Sequence, residues 1–466
     1  MEKYQRIGKK LVVKPVLVFQ IYQRKDMISW RPWGGLHTDE DVDREVLRIK
    51  DDLVKIQENV DFKLEILEIT KIKTINDIYE IEDELKKVDV ILIYPASGSK
   101  ELLNKLCEYG KWILFFIRHK SGPIYLWYEI IHPILLRERT DRYMNPRVSI
   151  DDIIIDDTEE LTWKLRALYG LKNTIGSRII AVGGPAGWGI GRVYGPKLAK
   201  EIWKFDIITI TYSELSERLK KAKNDSKLVE RARIEAKKYL NEKGVELKTK
   251  MEFVTNAFIL YYVFKDLLKE HDAYHITINE CMGTIMPIAR TTACLALSLL
   301  NDEGYLAFCE SDFVVIPSGV LLHYISGLPV FLNDPTTPHH GIVTLAHCTA
   351  PRRMDGISRE PADIVTHFES DYGAAPKVYM KKNQTVTVID PDFEGKLWLG
   401  FRGKIIDSPN FDICRSQIDV EIDGDWKLLL EKMRGFHWML CYGDYLKEFG
   451  YALNKIGIKW LNISEH

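Results

Sequence analysis

"YLAFCESDFVVIPSGVLLHYISGLPVFLND", residues 305–334, decides how this chain is read. An apolar run over 305–309 rises from a turn containing Gly304 and stops on Glu310, Ser311 and Asp312. A greasy helical segment fills 313–326, Gly327 ends it, and "PVFLN" opens a strand that stops at Asp334. Strand, helix and strand in this order predict a βαβ unit, and the connection is long enough for a right-handed crossover. Strands joined this way run in the same direction, so Glu310 and Asp334 both stand at carboxyl ends. If the strands are neighbours, their backbones lie ~4.8 Å apart. Both acids then face one crevice, where open α/β sheets bind ligands. Two close carboxylates repel, so one takes up a proton or a cation sits between them. The plainer alternative is that each acid caps a helix or meets a surface lysine.

Working outward, the first third alternates in the same way. "VKPVLVFQI", "FKLEILEI", "VDVILIYP" and "WILFFI" read as strands, with helices over 39–58, 75–87 and 98–109 between them. Short apolar runs alternating with amphipathic helices predict a doubly wound, Rossmann-like parallel sheet. A second α/β unit opens at "SRIIAVGGPAGWGIGRVYGPKLAKEIWKFDIITIT". From about 353 the pattern becomes β-type alternation without helices between the strands. The expected organisation is an N-terminal α/β domain over 1–172, a second α/β domain over 173–352 and a mostly β domain over 353–466. The second carries the acid pair.

Bulk properties narrow the function. At 466 residues the chain exceeds one ordinary core. It is 46% hydrophobic and 28% charged with a net charge of −2, so no basic excess points to nucleic acid and no charge block to a membrane surface. The N-terminal stretch is basic and then apolar, but Lys14 and Pro15 split it, which favours a first strand over a signal peptide. No run approaches the ~20 apolar residues of a membrane span. Seven scattered cysteines without C-x-x-C pairs fit a reducing cytoplasm.

Histidines add weight to the acid pair. His347 ends a further apolar run, "GIVTLAH", and His437 opens the apolar segment in "RGFHWMLCYGD". Imidazole with carboxylate suits Mn²⁺, Zn²⁺ or Fe²⁺ rather than Ca²⁺. His339 and His340 read as loop residues, and His323 as a packed helix residue.

Several stretches together resemble the L-fucose isomerase and L-arabinose isomerase superfamily. "ESD", with the Asp of "FLNDP" 24 residues beyond its Glu, looks like that family's metal-binding and catalytic acid pair. "GFHWMLCYGDYLKEFGYALNKIGI" looks like its C-terminal metal-histidine segment, and "VGGPAGWGIG" with "ITYSELSERL" like the start of its second domain. The resemblance implies that Glu310, Asp334 and His437 hold a divalent metal, with Mn²⁺ the expected ion. The arabinose branch adds a histidine after the second acid, for which His347 stands at a fitting place. It further implies an aldose–ketose isomerase that moves a proton between C1 and C2 through a cis-enediol. Glu310 and Asp334 would be the acid–base pair, the substrate a small sugar, and the assembly a homo-oligomer, trimeric or hexameric.

Three loops remain. "GGPAGWGIG" (183–191) resembles a phosphate loop, yet its glycines do not fit G-x-G-x-x-G. Read as a tight βα turn, it would bring Trp188 to the sugar as a stacking wall. "SWRPWGG" (29–35) offers Arg31 for a substrate hydroxyl or anion, and "NECMGT" (279–284) offers Glu280 as a pocket residue. His367 and Glu369 lie where the β-rich region begins. The rival functions are a nucleotide-dependent oxidoreductase resting on the glycine loop and a non-catalytic sugar-binding protein.

Overall fold

Val90–Tyr94 is buried at every position, the mark of a central parallel strand covered on both faces. The computed structural model describes residues 4–31, 34–125, 131–137, 139–143 and 148–465. They form two compact units, one of described residues between 9 and 172 and one of residues 4–8 with 173–465.

In the first unit, β1 (Leu11–Val18), β2 (Leu64–Ile66), β3 (Thr70–Ile72), β4 (Val90–Tyr94), β5 (Trp112–Ile117) and β6 (Ile153–Ile155) make one sheet. Its order is β2-β1-β4-β5-β6, β3 also pairs with β1, and every pairing is parallel. Helix α1 (Asp39–Asn59) starts at a capping box. The Thr38 hydroxyl accepts from the Asp41 amide, and the Asp41 carboxylate accepts from the Thr38 amide. It buries Val42, Glu45, Ile49, Leu53 and Ile56, one face of a 3.6-residue repeat.

The second unit holds another parallel sheet. Strands β7 (Arg178–Val182), β8 (Asp206–Ile210), β9 (His275–Ile278) and β10 (Leu306–Phe308) lie in the order β10-β9-β7-β8. Helix α2 (Gly191–Glu201) follows the glycine loop, and α3 (Met251–Glu270) and α4 (Cys294–Asp302) precede β9 and β10. Helix α5 (Ile316–Ser326) is buried at every residue, as a helix apolar on all sides must be. Gly327 ends it in the left-handed region at φ 67°, its N–H bonded to the His323 carbonyl at 2.7 Å.

An antiparallel barrel completes this unit. Strands β11 (Phe331–Pro335), β12 (Ile342–His347), β13 (Thr385–Asp390), β14 (Leu397–Asp407), β15 (Ser416–Asp423) and β16 (Trp438–Tyr442) run in the order β13-β16-β11-β12-β15-β14. A β13–β14 pairing closes the ring, and β17 (Lys459–Asn462) adds in parallel to β14. Closure leaves no exposed edge among these six strands. Val245–Leu247, Ala362–Val365 and Ala375–Val378 form a small separate sheet.

The architecture is therefore α/β with two parallel sheets followed by an antiparallel barrel. One expectation is corrected. The strands ending at Glu310 and Asp334 are not parallel neighbours in one sheet. Strand β10 edges the second parallel sheet, whereas β11 lies in the barrel, antiparallel to β12 and β16. Helix α5 thus links two sheets. The cause is non-local, since β11 finds its hydrogen bonds with a segment about a hundred residues further along the chain. Among the described residues, no single helix is long and apolar enough to cross a membrane.

Candidate metal centre

Barrel register brings three of the four side chains together. Asp334 pairs with Ala346, one residue before His347. Asn333 pairs with Trp438, one residue after His437. Asp334 therefore stands between two histidines from the flanking strands, at one end of the barrel. Glu310 arrives from the other sheet, beyond β10. Glu310 and Ser311 both adopt left-handed φ values, 66° and 47°. Such residues cost roughly 1–3 kcal/mol each where they are not glycine, and strain of this kind gathers at functional sites. Side chains alternate along an extended strand. Cys309 and Glu310 follow the last residue of β10, outside the strand, and both line the same cavity.

The distances are those of groups gathered around one point. His437 Nε2 lies 3.2 Å from Asp334 Oδ1 and 3.5 Å from Glu310 Oε2. His347 Nε2 lies 3.7 Å from Glu310 Oε1. Neither Nε2 makes a hydrogen bond, although both rings are buried. Donors bound at about 2.1 Å to a shared cation stand about 3.0 Å apart in an octahedral arrangement and about 3.4 Å in a tetrahedral one. Asp334, His347 and His437 can hold a metal together, their donor atoms all within 4.8 Å of one another. Two imidazole nitrogens without partners, aimed at carboxylates at ligand spacing, fit a divalent ion of the Mn²⁺ or Zn²⁺ kind.

Both rings are held from behind. His437 Nδ1 lies 2.8 Å from Asp312 Oδ2, and Asp312 is fully buried. The other Asp312 oxygen accepts the Val314 amide at 3.0 Å. His347 Nδ1 lies 3.0 Å from the Thr349 hydroxyl. The acceptor-only Asp312 carboxylate fixes the proton of His437 on Nδ1, and both contacts orient the rings with Nε2 toward the acids. The loop before His437 is pinned by buried Asp390, whose carboxyl accepts the Arg434 and Gly435 amides at 2.8 and 2.7 Å. Burial pushes that carboxyl up to about 7, against the pull of those two amides.

The electrostatics follow from this packing. Burial pushes the Glu310 carboxyl up, but the imidazoles of His347 and His437 outweigh it and hold the group well below the usual carboxylate range. Burial lowers His437, yet Asp312, Asp334 and Glu310 together raise it well above an ordinary histidine. His347 is raised in the same way, against burial, by Glu310 and Asp334.

A cavity of 420 Å³ opens in front of these groups, within the ~300–1,000 Å³ of small-molecule pockets. Trp188 forms part of its wall. Its Nε1–H donates to Glu310 Oε2 at 2.5 Å, and its ring stacks on Phe436 at 4.5 Å. The glycine loop places it there by pairing Ala186 with Asp312. The loop's amides are engaged within the chain: Gly183 on Ile210, Ala186 on Ser311, Gly191 on Trp188 and Arg192 on Gly189. These bonds tie the βα turn to the segments beside it.

Glu280, left-handed at φ 45°, lines the cavity, as do His367 and Glu369. Arg31 lies in the other unit, exposed, with its guanidinium 4.9 Å from the Trp30 ring centroid. Pro32 and Trp33 of its loop lie outside the described residues. His323 is buried with Nδ1 on the Leu328 carbonyl, and His339 and His340 are exposed at the β11–β12 turn. Asp312, Thr349, Asp390 and Phe436 escape sequence reasoning. Only Asp312 leaves a trace there, as a second acid two residues after Glu310.

In comparisons with known proteins, no family model matches the chain, and no curated protein matches it.

Proposed function

We propose that the chain is a metal-dependent aldose–ketose isomerase, acting on a pentose, deoxyhexose or related sugar. The observation that carries this reading is the convergence of Glu310, Asp334, His347 and His437 on one cavity, with both Nε2 atoms unbonded. A purely sugar-binding pocket needs no such set, and the glycines of the 183–191 loop do not fit the G-x-G-x-x-G spacing of a dinucleotide site.

Glu310, Asp334, His347 and His437 would hold the ion, with Mn²⁺ as the expected species. A divalent cation there would supply Lewis-acid stabilisation of the negative charge that builds on the substrate oxygens. The remaining chemistry belongs to the chain. Isomerisation takes a proton from C2 of the aldose and returns one to C1, with the hydroxyl proton moving between O2 and O1. Glu310 and Asp334 would form the acid–base pair, one taking the carbon-bound proton and the other the hydroxyl proton. General acid–base help of this kind contributes ~10²–10⁴-fold. Trp188 holds Glu310 in place through its N–H, while its ring and Phe436 give the sugar an apolar wall.

The test is a panel of aldoses with Mn²⁺ in D₂O, followed by NMR. Deuterium at C1 or C2 of the product is expected, and Glu310→Gln should abolish it in protein that still folds. Near wild-type turnover by Glu310→Gln refutes the assignment. Stoichiometric bound nicotinamide or flavin would favour the oxidoreductase.

A further inference from the structure

Two sets of donor atoms meet in this cavity, and they share His347. One is Asp334, His347 and His437; the other is Cys309, Glu310 and His347, again with all donor atoms within 4.8 Å of one another. The isomerase chemistry uses oxygen and nitrogen donors and leaves the Cys309 thiol idle. Cys309 faces the cavity together with Glu310, both just beyond the end of β10. The His347 side chain is only 4% exposed. Its Nδ1 is taken by Thr349, and its unbonded Nε2 stands between the two sets. Sulfur changes which cation is preferred. Thiolate favours Zn²⁺, Cd²⁺ and Cu⁺, whereas Mn²⁺ prefers oxygen and nitrogen.

We propose that the cavity offers two mutually exclusive cation positions: a hard one on Asp334, His347 and His437, completed by Glu310, and a soft one on Cys309, Glu310 and His347 that takes a thiophilic cation. One imidazole nitrogen serves one ion, so filling the soft position empties the hard one. The inference rests on reading the cavity as a metal centre. On binding, the Cys309 S–H bond breaks, a sulfur–metal bond forms, and the proton leaves to solvent. A thiophilic cation thereby acts as an inhibitor that competes with the working metal.

The experiment titrates metal-free protein with Cd²⁺, following ultraviolet thiolate-to-cadmium absorption, and repeats the titration on Mn²⁺-loaded protein, following Mn²⁺ by electron paramagnetic resonance. One Cd²⁺ per chain, a charge-transfer band and release of bound Mn²⁺ are expected. Cys309→Ser should lose the band and lower the ratio of Cd²⁺ to Mn²⁺ affinity by about tenfold or more. Cys414→Ser, which alters another thiol lining the cavity, should keep the band. A band that survives in Cys309→Ser, or simultaneous binding of both ions, overturns the proposal. Wild-type protein that binds Mn²⁺ but shows no band with Cd²⁺ overturns this proposal alone. Protein that binds neither ion overturns the metal centre with it.

Discussion

Asp312→Asn is the sharpest probe of the centre. In the native chain the carboxylate accepts from two sides, Val314 N–H on one oxygen and His437 Nδ1 on the other. An acceptor at Nδ1 keeps a proton there, so the proton a metal displaces is the one on Nε2, the nitrogen facing Asp334 and Glu310. Asparagine keeps the Val314 bond through its oxygen, and so presents its NH₂ to the ring. An NH₂ group donates, so Nδ1 must become the acceptor and the ring proton moves to Nε2. The substitution is nearly isosteric but selects the wrong tautomer at the metal-facing nitrogen. Loss of such an outer partner costs 10–100-fold in metal affinity, about 1.4–2.8 kcal/mol. The assay is Mn²⁺ titration of metal-free protein, with the free ion counted by paramagnetic resonance. A circular dichroism melt checks folding. If Asp312→Asn binds Mn²⁺ within about twofold of wild type while folded, the orienting role of Asp312 is wrong.

Further outcomes follow from the same geometry. Mn²⁺ binding should tighten as pH rises, by up to about tenfold per pH unit for each imidazole proton displaced, because His347 and His437 hold protons above the usual histidine range. Calorimetry at several pH values reads this, and pH-independent affinity would contradict it. Without metal the same two histidines stabilise the fold fully below about pH 6.5, and that contribution is lost as pH rises through their raised values. Glu310, held low, contributes above its ordinary value near about 4.3 and loses this only as pH falls through its own depressed value. Gly435→Ala would bring its Cβ to 2.7 Å from the Pro391 carbonyl oxygen and 2.8 Å from Asp390 Oδ1. It should cost about 1–3 kcal/mol as overpacking and weaken metal binding by shifting the His437 loop, read as a lower Tm in chelator and a higher Mn²⁺ dissociation constant. Trp188→Leu removes both the bond to Glu310 and the stack on Phe436. A loss of about 1–2 kcal/mol in kcat/KM is expected with little change in Tm, since the residue is half exposed; an unchanged kcat/KM would remove Trp188 from the site.

Parts of this picture are legible along the chain because they depend on near neighbours. Apolar runs broken by amphipathic helices mark the parallel sheets, and the full burial of Val90–Tyr94 agrees with that pattern. Acids at strand ends and histidines beside apolar runs are visible as residue types. The glycine loop reads as a βα turn because its residues need left-handed φ values, and Gly183, Gly184 and Gly189 have them. Local pattern fails at β11. Its apolar run suits a parallel strand after α5 equally well, and nothing within ten residues reveals that it hydrogen-bonds to β16.

Sequence by itself settled the kinds of groups available and the periodicity of the elements that carry them. Only the tertiary structure decided that Asp334 stands between His347 and His437, that Asp312 rather than solvent holds the back of His437, and that Cys309 shares a cavity with Glu310. The physical reason is separation. The bond from Asp312 to His437 spans 125 residues and joins the turn after β10 to the residue before β16, so it needs both that turn and the barrel register in place. Glu310 and Ser311 of that turn are left-handed, a conformation that Glu and Ser rarely adopt without such surroundings.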